Sequence, residues 1–561
     1  MTFAEIVSII PYYELKKDRG GAQGARLAPA RALPARAHAR RDRHADDGGE
    51  LPAHDRDGQG GRQDQDALRP GGAPGGGVSL ERELEGDARA AQGPERAPAH
   101  RAARQPRAGK RCGNVRPGRR PARTPEKEAA FARLTSFLAD YRRIFNPRFR
   151  SVHDTRDQEK VLYDRETIVW TVLAGMFLRR ASRNRMDCDR NEGRFAESVL
   201  RLSGQGVDDW PDGEELTVPC SETCCNLLRR GGTAQIQGAI TDMVAQLVRG
   251  KSLECARFRG FIVVAVDGVE QEETRRTGRA DETETRFQLE AKVVAPNGLA
   301  LSLMTERVKP HATENGKRDC EIKAFRRLAA RLKRAFPRLP VCIVGDALYA
   351  CSPVMRICRA NGWKFVLTFK EGRSPDAYEM ACDSMEVSKG CCGPLVARGV
   401  NQCKIETGVV AWTGGVKFTT QSEGEEFNVV ACEETKGGSY RGMFATNYDV
   451  DCADVASEVV EWGRRRWNIE SSFDVEKNNG YGLEHVFCNH WRCSRNFYLL
   501  MQLANNLWQM FNSCVVTTLA EGCRKMAQSE WVELLFRAFH EIGITVEFAS
   551  MPRRYVRRMN L

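Results

Sequence analysis

The 561-residue sequence lacks any apolar run long enough to cross a lipid bilayer. Its longest such run, residues 167–178, covers 12 positions, whereas a membrane-spanning helix needs about 20. The first residues also lack the basic start and the small-residue cleavage site of a signal peptide. These absences predict a protein that has no membrane partner and acts in the cytoplasm.

Between Tyr13 and Phe131 the sequence has no aromatic residue, no isoleucine and no methionine. Alanine, arginine, glycine and proline dominate, and such a stretch cannot bury enough apolar surface to order itself. We therefore expect residues 1–125 to be a low-complexity, disordered segment, for which two explanations are open. It is either a basic arm that binds DNA non-specifically, or the translation of a shifted reading frame in a GC-rich gene. The second explanation leaves open whether this copy is active.

The 20 cysteines lack the paired C-x₂-C spacing of common zinc sites. The closest pattern is Cys488-Asn-His490-Trp-Arg-Cys493, but no second pair follows at a suitable distance. Because disulfides are rare in the cytoplasm, we expect most cysteines to be reduced and to pack as small apolar side chains. The spacing alone does not predict a zinc site.

The sequence does contain an acidic residue that is flanked by basic residues. In residues 464–477, R-R-R-W-N-I-E-S-S-F-D-V-E-K, Glu470 follows Arg466 by four positions and precedes Lys477 by seven. On a helix these three side chains share one face, which suits a divalent cation beside a nucleic-acid phosphate. An ordinary surface helix with i,i+4 ion pairs gives the same pattern. The apolar residues expected to anchor this helix are Trp467, Ile469 and Phe473.

Two aspartates follow short apolar runs. Asp267 comes after residues 261–266 and Asp346 after residues 341–345, and each run is typical of a buried strand that ends at the acid. Between them lie strands at 287–294 and 299–304, joined by a turn with Asn297-Gly298, and a helix at 320–336. A helix through Met355 and a strand at 363–369 follow. This order predicts an α/β fold with a ribonuclease H-like core, in which both aspartates meet at one edge of the sheet.

The segment after this core is longer than a simple core needs. Residues 372–448 are expected to be a β-rich insertion, with strands at 405–412, 416–420, 427–432 and 443–447 and a hairpin turn at Gly414-Gly415. The insertion either helps to hold DNA ends or is a surface segment without a role in catalysis.

Helices are predicted on both sides of the core. Those at 131–145, 165–180, 194–202 and 233–248 interleave basic and apolar residues, so they either recognise DNA ends or cap the core. A helix at 495–511 is expected to close the core, and residues 553–558 form a basic tail. The predicted layout is a disordered segment (1–125), a helical candidate DNA-binding domain (126–255), a catalytic domain in two parts (256–371 and 451–515), the β-rich insertion (372–450) and a helical C-terminal region (516–561).

Together these segments resemble the DDE transposases of bacterial insertion sequences, in the group with the Y-R-E-K signature. That signature is Y, two residues, R, three residues, E, six residues, K; Arg466, Glu470 and Lys477 fit it, whereas Gly463 stands at the tyrosine position. The segments V-D-G at 266–268, G-D-A-L-Y-A at 345–350, W-K-F-V-L-T-F-K at 363–370 and F-A-T-N at 444–447 are also similar to family segments. The resemblance covers about residues 167–510.

The resemblance implies a transposase that cuts insertion-sequence ends and joins them to target DNA by two-metal phosphoryl transfer. Asp267, Asp346 and Glu470 would be the catalytic metal ligands for two Mg²⁺ ions, with Mn²⁺ as a substitute. Arg466 and Lys477 would contact phosphates, whereas the neighbouring Arg464 and Arg465 are expected to be solvated.

The implied partners are double-stranded DNA, as transposon ends and as target, and a second copy of the chain in a dimer on the bacterial chromosome. Two alternatives stay open. One is an inactive or domesticated DNA-binding remnant of a transposase, and the other is a different ribonuclease H-like nuclease. The charge of +12 and the pI near 8.9 suit a nucleic-acid partner in each case.

Overall fold

The computed structural model describes residues 132–142, 148–275, 283–309, 319–387, 391–395, 408–418, 425–434, 441–516 and 526–544, apart from positions 135, 139, 181, 208–209, 211–212, 486 and 542. The predicted disordered segment and the basic tail at 553–558 lie outside these residues. In the described part of the chain, no helix combines the length and the apolar character needed to cross a membrane.

One sheet of ten strands organises the described residues. The strands are β1 (Arg257–Phe258), β2 (Phe261–Arg275), β3 (Thr283–Val294), β4 (Ala300–Val308), β5 (Val341–Gly345), β6 (Lys364–Thr368), β7 (Cys392–Pro394), β8 (Gly408–Lys417), β9 (Glu426–Glu434) and β10 (Arg441–Thr446). Their order is β4-β3-β2-β5-β6-β10-β9-β8-β7, and β1 pairs with β2.

Helices precede, interrupt and follow this sheet. They are α1 (Arg165–Phe177), α2 (Arg183–Asp189), α3 (Gly193–Ser203), α4 (Ser221–Arg230), α5 (Thr233–Arg249), α6 (Glu321–Ala335), α7 (Ser352–Ala360), α8 (Pro375–Val387), α9 (Ala453–Arg464), α10 (Trp467–Asn478), α11 (Trp491–Cys514) and α12 (Gln528–Glu541). The described residues of 132–142 are also helical.

The predicted ribonuclease H-like fold is confirmed by the strand order. Strands β2, β3 and β4 form an antiparallel meander, and β5 and then β6 lie parallel on the other side of β2. All five residues of β5 are buried, as expected for the β-branched run in the middle of a covered sheet. The first and fourth strands of the core are therefore neighbours.

The prediction that a strand ends at Asp267 is wrong. Strand β2 continues to Arg275 because its antiparallel partner β3 stays paired with it, from Val264 opposite Val293 to Arg275 opposite Thr283. The apolar run ends at Asp267 for another reason. The parallel partner β5 pairs with β2 only as far as Ala265, so beyond that point β2 is paired on the β3 side alone.

The β-rich insertion begins with helix α8, and its strands continue the same sheet. Strand β10 pairs antiparallel with β6 of the core, and β9, β8 and β7 follow in order. The predicted hairpin turn at Gly414-Gly415 is wrong. Residues on both sides of the two glycines pair with the same strand, Thr413 with Val429 and Val416 with Phe427, so the glycines form a bulge within β8. Gly415 has φ +76°, which explains a glycine there.

The N-terminal helices pack against the core as a cap. Phe177 at the end of α1 stacks on Trp508 of α11 with ring centroids 4.9 Å apart, and the Trp508 indole donates a 2.5 Å hydrogen bond to the Phe177 carbonyl. Gln237 of α5 bonds to the backbone of β4 at Leu303 and Thr305. Helix α11 includes the helix predicted at 495–511 and lies under this cap.

Candidate active site

Asp267 and Asp346 lie side by side where the parallel pairing of β2 and β5 ends. The last paired residues are Ala265 and Val344, and each aspartate follows its strand's paired residue by two positions. Asp267 stands within β2 and Asp346 directly follows β5, so the register of the two strands brings both residues to the same level of the sheet. The Asp267 side chain keeps only 20% of its surface exposed. The predicted meeting of the two aspartates is thus present.

The loop that carries Asp346 is fixed by its own hydrogen bonds and by a buried tyrosine. Asp346 Oδ1 accepts the amide of Leu348 at 2.9 Å, and the Asp346 carbonyl accepts the amide of Tyr349 at 3.2 Å. Tyr349 is fully buried, and its hydroxyl donates to Glu321 Oε2 at 2.8 Å. This contact ties the loop to the first turn of α6.

The glycines beside both aspartates make room for this arrangement. A Cβ at Gly268 would lie 2.6 Å from the Glu321 carboxyl carbon, and one at Gly345 would lie 2.9 Å from the Tyr349 ring. In the sequence these glycines and Tyr349 stand out only as parts of motifs, and Glu321 belongs to none of them. No local signal marks Glu321, because its partners come from two other segments of the chain.

Glu470 and Arg466 approach the aspartates from the other side. Residues 464–477 span the junction of two helices: α9 ends at Arg464 and α10 begins at Trp467, so Arg466 occupies the N-cap position of α10. The predicted i,i+4 ion pair between Arg466 Nη1 and Glu470 Oε1 is present. The same Nη1 lies 4.0 Å from Asp267 Oδ2. Arg466 is therefore placed between two of the three acids.

Two predictions about the neighbours of Glu470 are wrong. Trp467 was expected to anchor the helix, but 57% of it is exposed, because it falls on the same solvent-facing stripe as Ser471 and Asp474. Ile469 and Phe473 are buried as expected. Arg465 was expected to be solvated, yet it is 3% exposed. Its Nη2 lies 3.0 Å from Glu461 Oε1, and this pairing accounts for its burial.

Lys477 lies two helical turns beyond Glu470 on α10. Its Nζ forms a 3.0 Å ion pair with Glu484 Oε1, and the side chain stays 36% exposed. The structure therefore places Lys477 on the same element as Glu470, at the surface and open to a further anionic partner.

Gly463, where the signature has tyrosine, is tightly enclosed. A Cβ there would lie 2.6 Å from the Phe444 ring of β10 and 3.0 Å from Val366 of β6. Glycine allows α9 to approach the sheet closely at this point, so the departure from the signature has a steric cause.

A buried polar network fixes the orientation of α10. Lys292 of β3 and Glu476 of α10, both fully buried, form an ion pair with Nζ 2.5 Å from Oε1. Lys292 Nζ also donates to Ser472 Oγ at 2.8 Å. Gln502 and Asn505 of α11 donate to the Glu476 carboxylate at 2.7 and 2.8 Å. The helix that carries Glu470 is thus held to both β3 and α11.

The electrostatics of the site centre on Asp267. Burial raises the pKa of its carboxyl to about 7; the charge of Arg466 opposes this rise, whereas the charges of Asp346 and Glu470 add to it. The negative charges of Asp346 and Glu470 therefore both act on the Asp267 carboxyl. A divalent cation would relieve both the burial and the repulsion, so the donor set fits a cation that prefers oxygen ligands. In the described part of the chain these three acids do not bring their oxygens within 4.8 Å of one another.

Comparison with known proteins finds a family model that matches the part of the chain containing Asp346 and Glu470. Residues 317–507 match the family model described as Transposase DDE domain. The match begins just before α6 and ends within α11, so it contains Asp346, Arg466, Glu470 and Lys477, whereas Asp267 lies upstream of it. A comparison with curated proteins finds no match to the chain. Residues 317–507 thus carry a transposase DDE domain.

Proposed function

We propose, from the transposase DDE domain at residues 317–507, that this protein is a DNA transposase of a bacterial insertion sequence, related to the Y-R-E-K group. The observation that carries the proposal is the convergence of Asp346 and Glu470 on the buried carboxyl of Asp267, beside Arg466. The protein would act on the chromosome in the cytoplasm and pair two DNA ends as a dimer.

In this proposal Asp267, Asp346 and Glu470 hold a pair of Mg²⁺ ions, for which Mn²⁺ can substitute. Such ions, when bound, lower the pKa of an attacking hydroxyl and offset the charge on the leaving oxygen. The Leu348 amide and the Tyr349–Glu321 hydrogen bond keep Asp346 in place. Water would first cleave a phosphodiester at the transposon end, and the freed 3′-hydroxyl would then attack a phosphodiester of the target.

The chain offers cations and an aromatic ring for the DNA. Arg466 and Lys477 contact phosphates in this proposal. The exposed Trp467 ring lies beside Arg466, with the guanidinium carbon 4.7 Å from the ring centroid. An exposed tryptophan next to a basic side chain suits stacking on an unpaired base at a DNA end.

The direct test is cleavage of the terminal repeats that flank the gene. The full chain with Mg²⁺ is expected to cut the ends and join them to target DNA, and Asp346→Asn should lower cleavage by about 100-fold or more. Asp474→Asn is the matched control, because Asp474 is an exposed acid of α10 whose Oδ1 accepts a hydrogen bond from Asn478 of the same helix.

Each outcome separates the candidate functions. Equal cleavage by wild type and by Asp346→Asn would contradict the catalytic role of Asp346. Cutting without joining would favour another ribonuclease H-like nuclease. Binding of the repeats in a mobility-shift assay without any cutting would favour a DNA-binding remnant.

A further inference from the structure

Three cysteines from distant parts of the chain meet outside the candidate active site. Cys225 lies on α4, Cys488 in the segment between α10 and α11, and Cys493 in the first turn of α11. Their Sγ atoms all lie within 4.8 Å of one another, and in the described part of the chain this is the one group of three potential metal ligands with that property. All three are buried, with Cys488 exposed by 4%.

The spacing of the sulfurs suits a metal better than a disulfide. Zinc with Zn–S bonds of about 2.3 Å in a tetrahedral site separates its sulfurs by about 3.8 Å, which is compatible with three sulfurs within 4.8 Å. A disulfide would join two of them at about 2.05 Å and leave the third thiol buried beside it. One central ion can bind all three sulfurs, whereas a disulfide involves only two of them.

Two arginines lie near the sulfurs and would offset the negative charge of thiolates bound to a metal. The Arg229 side chain hydrogen-bonds to Cys488, as does the backbone amide of His490. Arg183 brings a second positive charge near Cys225 and Cys488. Arg286 of β3 donates to the Cys488 carbonyl at 3.1 Å and fixes the backbone of the segment. Positive charge and hydrogen bonds around the sulfurs are what a structural metal site needs beyond its ligands.

A neighbouring cysteine gives the contrast. One position before Cys225, Cys224 is fully buried on the same helix, and it is not part of the group of three. Cys224 thus packs as the ordinary apolar cysteine that the sequence predicts, whereas the Cys225 sulfur lies beside two other sulfurs.

We propose that Cys225, Cys488 and Cys493 bind a structural Zn²⁺ ion as three thiolates. Binding releases the thiol protons to solvent, and a water molecule would complete a four-coordinate site. The ion would tie α4 of the helical cap to the segment that leaves α10 and to the start of α11. It would thereby hold the connection that follows the Glu470 helix, without taking part in the chemistry of the acids.

The test is metal content, which does not depend on transposition. The full chain, expressed with zinc in the medium and purified without chelator, is expected to carry one zinc per chain by mass spectrometry of the elements. Cys488→Ala and Cys225→Ala should lose it, whereas Cys224→Ala, a buried cysteine on the same helix, should retain it. Circular dichroism of each variant checks that the fold is kept.

A second readout uses the wild-type chain alone, in case the variants do not fold. Replacement of the metal by Co²⁺ should give intense thiolate-to-cobalt charge-transfer absorption together with the visible bands of a tetrahedral ion. Wild-type protein without zinc and without these bands would overturn the proposal. So would zinc that Cys488→Ala and Cys225→Ala retain, or a disulfide between two of the three clustered cysteines in unreduced peptides.

Discussion

At the scale of single residues, Arg466 is the group on which the charge of the site depends. Its guanidinium pairs with Glu470 and lies 4.0 Å from Asp267, so it stabilises two carboxylates at once. The buried Asp267 nonetheless keeps a pKa raised to about 7. The protonation state of the site is thus set by a balance between burial and one arginine.

Replacing Arg466 by glutamine should raise the pKa of Asp267 above about 7, because the positive charge that now lowers it is removed. Titration of labelled aspartate carboxyls by NMR, in chelator, would measure the shift. Lys477→Gln is the control, since Lys477 pairs with Glu484 instead. An unchanged Asp267 titration in Arg466→Gln would contradict the role given to this arginine.

Because of the buried carboxyl of Glu290, the stability of the folded chain is expected to depend on pH. Burial raises its pKa from 4.5 to about 7, so the folded chain keeps a proton that the unfolded chain releases. The free energy of unfolding should therefore fall as pH rises from about 4.5 to 7, by at most about 1.4 kcal/mol per pH unit. Glu290→Gln, which mimics the protonated acid, should flatten part of this slope in urea titrations across that range. A variant that keeps the full wild-type slope would show that Glu290 is not its source.

At the scale of elements, α10 is positioned by groups that face away from DNA. Ile469 and Phe473 supply the apolar contact, and the buried pair of Lys292 and Glu476 sets the orientation. A buried ion pair is costly to break, because the remaining charge has no water around it. The placement of Glu470 thus depends on a residue of β3.

Lys292→Met should lower the free energy of unfolding by about 3–5 kcal/mol, because it leaves Glu476 buried without its cation. The double variant Lys292→Met with Glu476→Met should recover part of this loss. Urea unfolding of the two variants and the wild type measures both values. Equal losses in the single and double variants would mean that the pair does not act as a unit.

Gly463 offers a second test at this scale. Gly463→Ala should lower the free energy of unfolding by about 1–3 kcal/mol, because its Cβ would meet the Phe444 ring at 2.6 Å. The matched control is Gly193→Ala in α3, where nothing lies within 4 Å of the added Cβ, so that helix should gain up to about 1 kcal/mol. A neutral Gly463→Ala would show that α9 can move off the sheet.

At the scale of the whole molecule, local patterns predicted the core and long-range contacts decided the rest. The β-branched runs before Asp267 and Asp346 and the apolar stripe of α6 depend on residues close in sequence, and the fold followed from them. The contact of Glu321 with Tyr349 and the meeting of Cys225 with Cys488 depend on partners far along the chain. Their spacing carries no such signal. The bulge at Gly414 was missed because a Gly-Gly pair suits a turn and a bulge alike.

The continuous sheet predicts that the insertion cannot be removed without cost. Because β10 pairs with both β6 and β9, replacing residues 391–434 by a short glycine–serine linker would expose one edge of β10. We expect a lower melting temperature for the remaining chain, measured by calorimetry with the intact chain as reference. An unchanged melting temperature would mean that the insertion is stabilised independently of the core.

The close approach at Gly463 also bears on how such a chain can change over generations. Phe444, from the insertion strand β10, fills the space that a larger side chain at position 463 would need. A mutation that introduces tyrosine there is therefore expected to be destabilising while Phe444 and Val366 keep their size. The side chain at position 444 would have to become smaller before the one at position 463 becomes larger. Residues 444 and 463 are therefore expected to covary in descendants of this sequence.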